Sequence, residues 1–180
     1  MSEQTLSAVN AIHERFAALV EEFRGEYSLI ITPENIILAL TALRDEFEYN
    51  MLMDVTAVDY YPLEDYPLED YPREAPRFHV IYQLYSMAHN DRIQLRVPLQ
   101  GNAPALDSVE KIFPSANWKE REVFDLFGIN FNNHPDLRRI MMPQDWVGHP
   151  LRKDYPLGYE EVQFTFNFDE IMANKPQPKD

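Results

Sequence analysis

Residues 77–99 read RFHVIYQLYSMAHNDRIQLRVPL and contain the pattern that determines the fold. Apolar side chains occupy alternate positions over 78–84 and again over 93–99, as they do in strands with one buried face. The short connection Met87–Asn90 lies between the two runs, so the sequence predicts a β-hairpin. Pro98 has no N–H group to donate to a sheet ladder, and it predicts that the second strand finishes at an edge.

Further helices and strands are predicted before this hairpin. Apolar residues at three- and four-residue spacing over 6–23 predict an amphipathic helix that ends at Gly25. A strand is predicted at Tyr27–Ile31, and a second amphipathic helix begins after the capping residue Thr32. Residues Met51–Val58 are rich in β-forming side chains and predict another strand.

Two helices are predicted after the hairpin. The first is short and covers Ser108–Phe113. The second covers Trp118–Phe127, with Asn117 and Glu120 placed as in a capping box. Gly128 follows directly and is expected to end that helix. Beyond this glycine the helix and strand periodicities fade.

The order of these elements indicates the α+β class. We expect a two-layer fold with helices packed on one face of a mixed or antiparallel sheet, followed by an irregular C-terminal extension. Residues 1–128 would form the core domain and residues 129–158 an irregular segment. Residues 159–180 would form an extended arm, because apolar and polar side chains alternate over 162–168 and suit strand addition on a partner. An edge strand on the chain's own sheet is the alternative for this arm.

Residues 61–75 contain three near-copies of a Tyr-Pro-Leu-Glu-Asp repeat. Proline at every fifth position is incompatible with helix interiors and with sheet ladders, so an exposed loop is predicted. Two interpretations remain open. The loop is either an acidic, tyrosine-bearing motif for a partner or a surface insertion that arose by local duplication.

Composition excludes several classes of site and partner. The 180 residues carry a net charge of −14, which is unsuited to nucleic acids and to anionic membrane surfaces. Because the chain has no cysteine, it cannot form disulfides, thiolate zinc sites or ordinary iron–sulfur ligation. We expect a cytosolic chain without a signal peptide or a transmembrane segment.

Among the residue patterns that could support catalysis or cofactor binding, one candidate metal site remains. The five glycines form no phosphate-binding motif. His134, Asp136 and His149 could together ligate a metal, which would suit a small metal-dependent hydrolase. The alternative is that each histidine holds a loop by hydrogen bonding to backbone carbonyls. On the helix at 118–127, Glu122 and Asp125 share a face and need nearby cations, either in an interface network or on a solvated surface.

Three stretches resemble one protein family. They are WKEREVFDLFGI at 118–129, HPDLRRI at 134–140 and GHPLRKDYP at 148–156. Together they resemble the 30 kDa subunit of respiratory complex I, the proton-translocating NADH:quinone oxidoreductase. The family usually has glycine where this chain has Asn133, and asparagine tolerates the left-handed conformation that such a glycine often provides.

The resemblance implies a non-catalytic subunit of the peripheral arm, on the cytoplasmic side of an energy-transducing membrane. It would dock on the neighbouring quinone-site subunit through residues 129–158 and support assembly and electron transfer to quinone. The chain would hold no cofactor, and FMN and iron–sulfur clusters would lie on other subunits. A related ferredoxin- or deazaflavin-dependent dehydrogenase, or a membrane-bound hydrogenase, would use an equivalent subunit.

We assign the docking interface to charged residues of the signature and to two aromatic residues of the arm. The assigned residues are Glu120, Arg121, Asp125, Arg138, Arg139, Arg152, Lys153, Phe164 and Phe166. No catalytic, cofactor-binding or metal-binding residue is assigned.

Overall fold

A computed structural model describes residues 3–61 and 76–155, together with Phe168, Asp169 and Ala173. A five-stranded mixed sheet dominates this part of the chain. The helices are α1 (Glu3–Phe16), α2 (Ile36–Asp45) and α3 (Ala116–Phe127), and a 3₁₀ turn at Pro33–Asn35 precedes α2. The sheet strands are β1 (Leu19–Phe23), β2 (Glu26–Ile30), β3 (Met51–Asp59), β4 (Phe78–Ser86) and β5 (Asp91–Leu99). They lie side by side in the order β1-β2-β5-β4-β3. Two short strands, β6 (Ala105–Asp107) and β7 (Asn130–Asn132), pair in parallel.

The predicted hairpin is confirmed as β4 and β5, which pair antiparallel along their whole length. β5 also pairs in parallel with β2, so it is a central strand. The pairing with β2 reaches only Arg96, whereas Pro98 faces His79 of β4 alone. The edge predicted from Pro98 is therefore present only at the end of the strand, where a proline removes no hydrogen bond to a second neighbour.

The predicted helix over 6–23 is wrong in its C-terminal part. α1 ends at Phe16, and Ala17 has a φ of +51°, a conformation that cannot continue a right-handed helix. The remainder forms β1, which pairs antiparallel with β2 across the turn at Arg24 and Gly25. Gly25 therefore closes a hairpin instead of ending a helix. All five side chains of β1 are exposed, so the strand lacks the alternation that would reveal it.

Two smaller predictions are also wrong. Residues 108–113 form hydrogen-bonded turns, with the N–H of Phe113 donating to the carbonyl of Val109, and no helix. α3 begins after Ser115 and not after Asn117, and no side chain caps it. Glu120 is not part of a capping box because it lies inside the protein, as described below. The end of α3 at Gly128 is confirmed by a left-handed φ of +70°.

The α+β class is confirmed, with one core on one face of the sheet. Side chains of all three helices share that core with alternate residues of the strands. The buried apolar side chains include Ile12 of α1, Leu40 and Leu43 of α2, Val123 and Phe127 of α3, and Leu29, Tyr82, Leu84 and Leu95 of the sheet.

The segment from Ile129 to Tyr155 packs against α3 and is irregular apart from β7. Asn133 has a φ of +61°, so it adopts the left-handed conformation expected of the residue that replaces glycine. The predicted Tyr-Pro loop lies outside the described residues except for Tyr61, as does the arm at 159–180 apart from Phe168, Asp169 and Ala173.

Candidate partner-docking surface

Asp125 of α3 holds the segment that follows the helix. Its carboxylate is fully buried and accepts hydrogen bonds from the backbone N–H groups of Ile140, Met141 and Met142 at 3.0, 2.7 and 2.8 Å. It also pairs with Arg139 at 2.8 Å. Burial alone would raise the pKa of Asp125, but these donors outweigh burial and lower the pKa below its ordinary value. One side chain thus fixes three consecutive backbone amides against the helix.

Glu120 connects α3 to the turns that precede it. It is fully buried and accepts hydrogen bonds from the Ser108 hydroxyl at 2.6 Å and the Val109 N–H at 2.8 Å. Burial raises the pKa of Glu120 to about 7, even though both donors favour the charged form. The Nε2 atom of His134 lies 3.8 Å from the same carboxylate.

Two arginines attach the same segment to α3 by binding backbone carbonyls. Arg121 packs on the ring of Trp118, 4.8 Å from its centroid, and donates to the carbonyl of Arg138 at 3.1 Å. Arg152 donates to the carbonyls of Phe127, Gly128 and Asn102. Each guanidinium therefore satisfies carbonyl groups that irregular backbone would otherwise leave unpaired.

A second buried ion-pair cluster joins this segment to the sheet. Asp59, at the end of β3, pairs with Arg77 at 2.8 Å and accepts the Lys153 N–H at 2.9 Å. Arg77 also pairs with Asp154 at 2.7 Å. Sequence reasoning missed this role of Asp59, Arg77 and Asp154, because the pairing residues lie far apart in the chain and no local spacing connects them.

The assigned docking residues fall into three groups. Five are substantially buried and bind within the chain, namely Glu120, Arg121, Asp125, Arg139 and Arg152. Arg138 and Lys153 are exposed, and the Arg138 side chain forms a surface pair with Asp136 at 2.9 Å. Phe164 and Phe166 lie outside the described residues. The docking role of all nine stays a prediction.

The two histidines of the candidate metal site each bind backbone. His134 Nε2 lies 3.1 Å from the carbonyl of Asn117, and its Nδ1 accepts the N–H of Asp136 at 3.0 Å. His149 Nδ1 lies 2.8 Å from the carbonyl of Asp125. Within residues 3–61 and 76–155 no group of three metal-ligating side chains comes together. Both histidines therefore lie within hydrogen-bonding distance of backbone carbonyls, as the loop-holding interpretation predicts.

Large apolar side chains remain exposed on α3 and on the segment tied to it. Trp118, Met141, Val147 and Leu151 are each more than half exposed. The backbone N–H of Met141 is bound by Asp125, and the N–H of Leu151 donates to the Leu126 carbonyl at 3.0 Å. An apolar surface on rigidly held backbone is typical of a protein interface. We call α3 with residues 129–155 the docking surface.

Comparison with known proteins identifies the family. A family profile described as the 30 kDa subunit of respiratory-chain NADH dehydrogenase matches residues 29–161, which include most of the sheet and the docking surface. The chain belongs to this family.

Curated relatives agree along most of the chain. It is 47% identical over 161 residues to an NADH-quinone oxidoreductase subunit of Roseiflexus sp. strain RS-1, covering 88% of this chain and 86% of the relative. It is also 47% identical to the equally named subunit of Geotalea uraniireducens strain Rf4, covering 83% and 87% of the two chains. The equally named subunit of Herpetosiphon aurantiacus is 50% identical, covering 87% and 86%.

Solved structures share the fold. A trypsin-resistant fragment of Nqo5 is 30% identical with a TM-score of 0.60, covering 75% of this chain and 98% of the fragment. A chain of the membrane-bound sulfane sulfur reductase, an archaeal respiratory membrane complex, is 21% identical with a TM-score of 0.63, covering 86% and 87%. In the described part of our chain, no helix is both long enough and apolar enough to span a membrane.

Proposed function

We propose that this chain is a peripheral subunit of an NADH:quinone oxidoreductase and docks on the quinone-site subunit of that complex. The observation that carries the proposal is the family match over residues 29–161, which covers most of the core and the docking surface together. In this role the chain supports assembly of the complex and electron transfer to quinone. It stays peripheral, on the cytoplasmic side of the membrane, and is held there by other subunits.

The docking surface is already ordered within this chain, which supports a role in binding a partner. Buried charges hold residues 138–152 on α3 without help from another chain. A surface that is already ordered loses little conformational entropy on association. Among the assigned charged residues, Arg138 and Lys153 have the exposure needed to meet a partner, whereas Asp125, Arg139 and Arg152 preserve the shape of the surface.

We further propose that the isolated chain has no catalytic activity and holds no redox group. The sequence has no cysteine for iron–sulfur ligation. FMN and iron–sulfur clusters would then belong to other subunits, and this chain would position the quinone-site subunit without passing electrons itself.

Two matched variants test the docking surface. Val147 is 68% exposed on the docking surface, and Met87 is 69% exposed in the turn between β4 and β5. Val147→Asp places a charge in the proposed interface, where burying it unpaired is costly. We expect a lower fraction of the variant in complexes purified from native membranes. Met87→Asp should be incorporated normally, and both isolated variants should melt close to the parent chain.

Normal incorporation of Val147→Asp would contradict docking through this surface. The proteins that co-purify with the parent chain test the wider assignment, because NADH- and flavin-binding subunits should be among them. Co-purification with a ferredoxin-dependent dehydrogenase or a hydrogenase would instead assign the chain to a related complex.

Arg139→Ala should lower the melting temperature of the isolated chain, since it leaves the buried Asp125 without its cation.

A further inference from the structure

The two edge strands of the five-stranded sheet differ in how they are protected from pairing with a further strand. β3 forms one edge, and side chains satisfy its backbone where the register shifts between Leu52 and Asp54. The Ser115 hydroxyl donates to the Leu52 carbonyl at 3.4 Å, and the Val55 N–H donates to the Asp54 carboxylate at 3.0 Å. Asp54 also pairs with Lys119 of α3 at 2.9 Å. Bulges and charged side chains are common means of protecting an edge strand from further pairing.

β1 forms the other edge and pairs with β2 without a register shift. No strand pairs with its outer side within residues 3–61 and 76–155. All five of its side chains are exposed, including Leu19 at 66% and Phe23 at 69%. The β1–β2 hairpin therefore presents apolar side chains on an open edge, which is a template for another strand.

The hairpin register identifies the backbone groups available to such a strand. A two-residue turn at Arg24 and Gly25 joins Phe23 to Glu26, and the residues that flank a turn of this length form a hydrogen-bonded pair. Bonded and non-bonded pairs alternate along an antiparallel ladder. Val20 and Glu22 therefore direct their N–H and C=O groups away from β2, toward the open edge.

The charges on β1 indicate the chemistry of the segment that fits. Glu21 and Glu22 project from opposite faces, and each has an apolar residue of β1 next to it on its own face. Glu21 pairs with Arg96 at 3.3 Å, whereas Glu22 accepts a hydrogen bond from the Tyr27 hydroxyl and has no cationic partner among the described residues. A second copy of this chain, pairing antiparallel about the centre of β1, would place Glu21 directly opposite the same residue of that copy, which is unfavourable.

The sheet face that carries Glu21 and Phe23 also holds a groove of about 600 Å³, which runs from β1 and β2 across the sheet to β3. Its lining is of mixed charge, because Arg92 and Arg96 lie there with Glu21 and Glu26. Phe23 belongs both to this lining and to the open edge, so long side chains of an added strand can reach over Phe23 into the groove.

We propose that β1 accepts an extended segment of a partner subunit by strand addition. The segment carries Lys or Arg where it passes Glu22, with apolar residues on either side. This proposal rests on the proposed function, because it requires that the chain is part of a complex. It gives the chain a second contact, separate from the docking surface on α3.

Amide hydrogen exchange of the complex and of the isolated chain tests this proposal. In the isolated chain the Val20 and Glu22 amides should exchange quickly, because they face solvent. In the assembled complex we expect their exchange to slow by roughly tenfold or more. Unchanged exchange at both amides, in complexes shown to contain the chain, would overturn strand addition and leave the proposed function intact. Failure of the chain to co-purify with any complex would instead count against the proposed function.

A charge-reversal pair tests the chemistry of the segment. Glu22→Lys should reduce incorporation into the complex by severalfold without lowering the melting temperature of the isolated chain. Glu14→Lys makes the same change at an exposed position of α1 and should be incorporated normally. Equal incorporation of the two variants would contradict a basic partner segment at β1.

Discussion

Two acidic residues on one helix have pKa values shifted in opposite directions. Asp125 and Glu120 are both fully buried, but Asp125 has four donors, one of them a guanidinium, whereas Glu120 has two neutral donors. Burial therefore dominates at Glu120 and raises its pKa to about 7, whereas the pKa of Asp125 is lowered. The donors around Asp125 stabilise the charged state in which it holds the docking surface, and Glu120 makes stability depend on pH.

We expect the free energy of unfolding to fall as pH rises from about 4.5 to above 7. Over that range the folded chain retains the Glu120 proton that the unfolded chain has lost, so stability decreases as the folded carboxyl ionises. The contribution is on the order of 3 kcal/mol. Urea denaturation of the parent chain and of Glu120→Gln at pH 5 and pH 8 measures it, because the glutamine variant should lose this part of the pH dependence.

Glu122→Gln provides the control for that measurement. Glu122 lies on the same helix but is only half-buried, so its replacement should leave the pH dependence close to that of the parent chain. If the parent chain and Glu120→Gln have the same pH dependence, the buried carboxyl is ionised throughout and the expectation is wrong.

At the scale of the elements, the strands with one buried face could be predicted and the exposed strand could not. The hairpin of β4 and β5 has alternating burial along its length, which the sequence reproduces. β1 has no buried side chain, and Leu19, Val20 and Phe23 happen to continue the spacing of α1. The irregular segment after α3 could be predicted as irregular, but its anchors could not, because they depend on contacts between distant residues.

Two glycines with left-handed φ angles are expected to differ in their tolerance of alanine. A Cβ atom on Gly128 would lie 2.5 Å from the His149 ring and 2.6 Å from the Arg152 guanidinium, whereas a Cβ on Gly25 would meet nothing within 4 Å. Both neighbours of Gly128 are held by backbone carbonyls and cannot move freely. Gly128→Ala should destabilise the chain by roughly 2–4 kcal/mol, and Gly25→Ala by about 1 kcal/mol.

Urea denaturation of both variants measures this difference. Gly25→Ala is the matched control, because it introduces the same backbone strain without the steric contact. Similar losses in the two variants would mean that His149 and Arg152 move aside and that the docking surface is less firmly held than the hydrogen bonds indicate.

At the scale of the whole molecule, charge is unevenly distributed along the chain. Residues 1–76 hold 16 acidic and 4 basic side chains, and residues 77–180 hold 14 and 12. Composition alone reveals this division, but it does not reveal that several basic residues of the second part act inside the chain. Arg77, Arg121, Arg139 and Arg152 all bind buried carboxylates or backbone carbonyls. The sequence alone therefore could not tell which of the predicted docking residues are internal anchors and which have exposed side chains.

Arg77 connects the sheet to the docking surface, and its loss should affect both. Arg77→Ala leaves Asp59, whose side chain is 1% exposed, without its cation. We expect a loss of roughly 3–5 kcal/mol in the free energy of unfolding, because an unpaired buried charge is costly. Urea denaturation measures this loss, and faster amide exchange at Lys153 in the isolated chain should accompany it.

Arg15→Ala is the control for Arg77→Ala. Arg15 pairs with Glu46 at 2.6 Å, but both side chains are about half exposed, so its loss should cost less than about 1 kcal/mol. A comparable loss in the two variants would show that the buried cluster contributes no more than a surface ion pair.

The cluster of Asp59, Arg77 and Asp154 lies beside a position where foreign sequence can be inserted. The Tyr60 N–H donates to the Arg77 carbonyl at 2.8 Å, and Asp59 pairs with Phe78 in the strand register, so the chain is already closed on both sides of residues 62–75. Extending a connection whose ends are fixed costs little, because closure entropy grows slowly with length. An epitope tag or a small fluorescent domain spliced between Tyr61 and Pro76 should leave the sheet and the docking surface intact. Such a label would locate this subunit in images of the assembled complex.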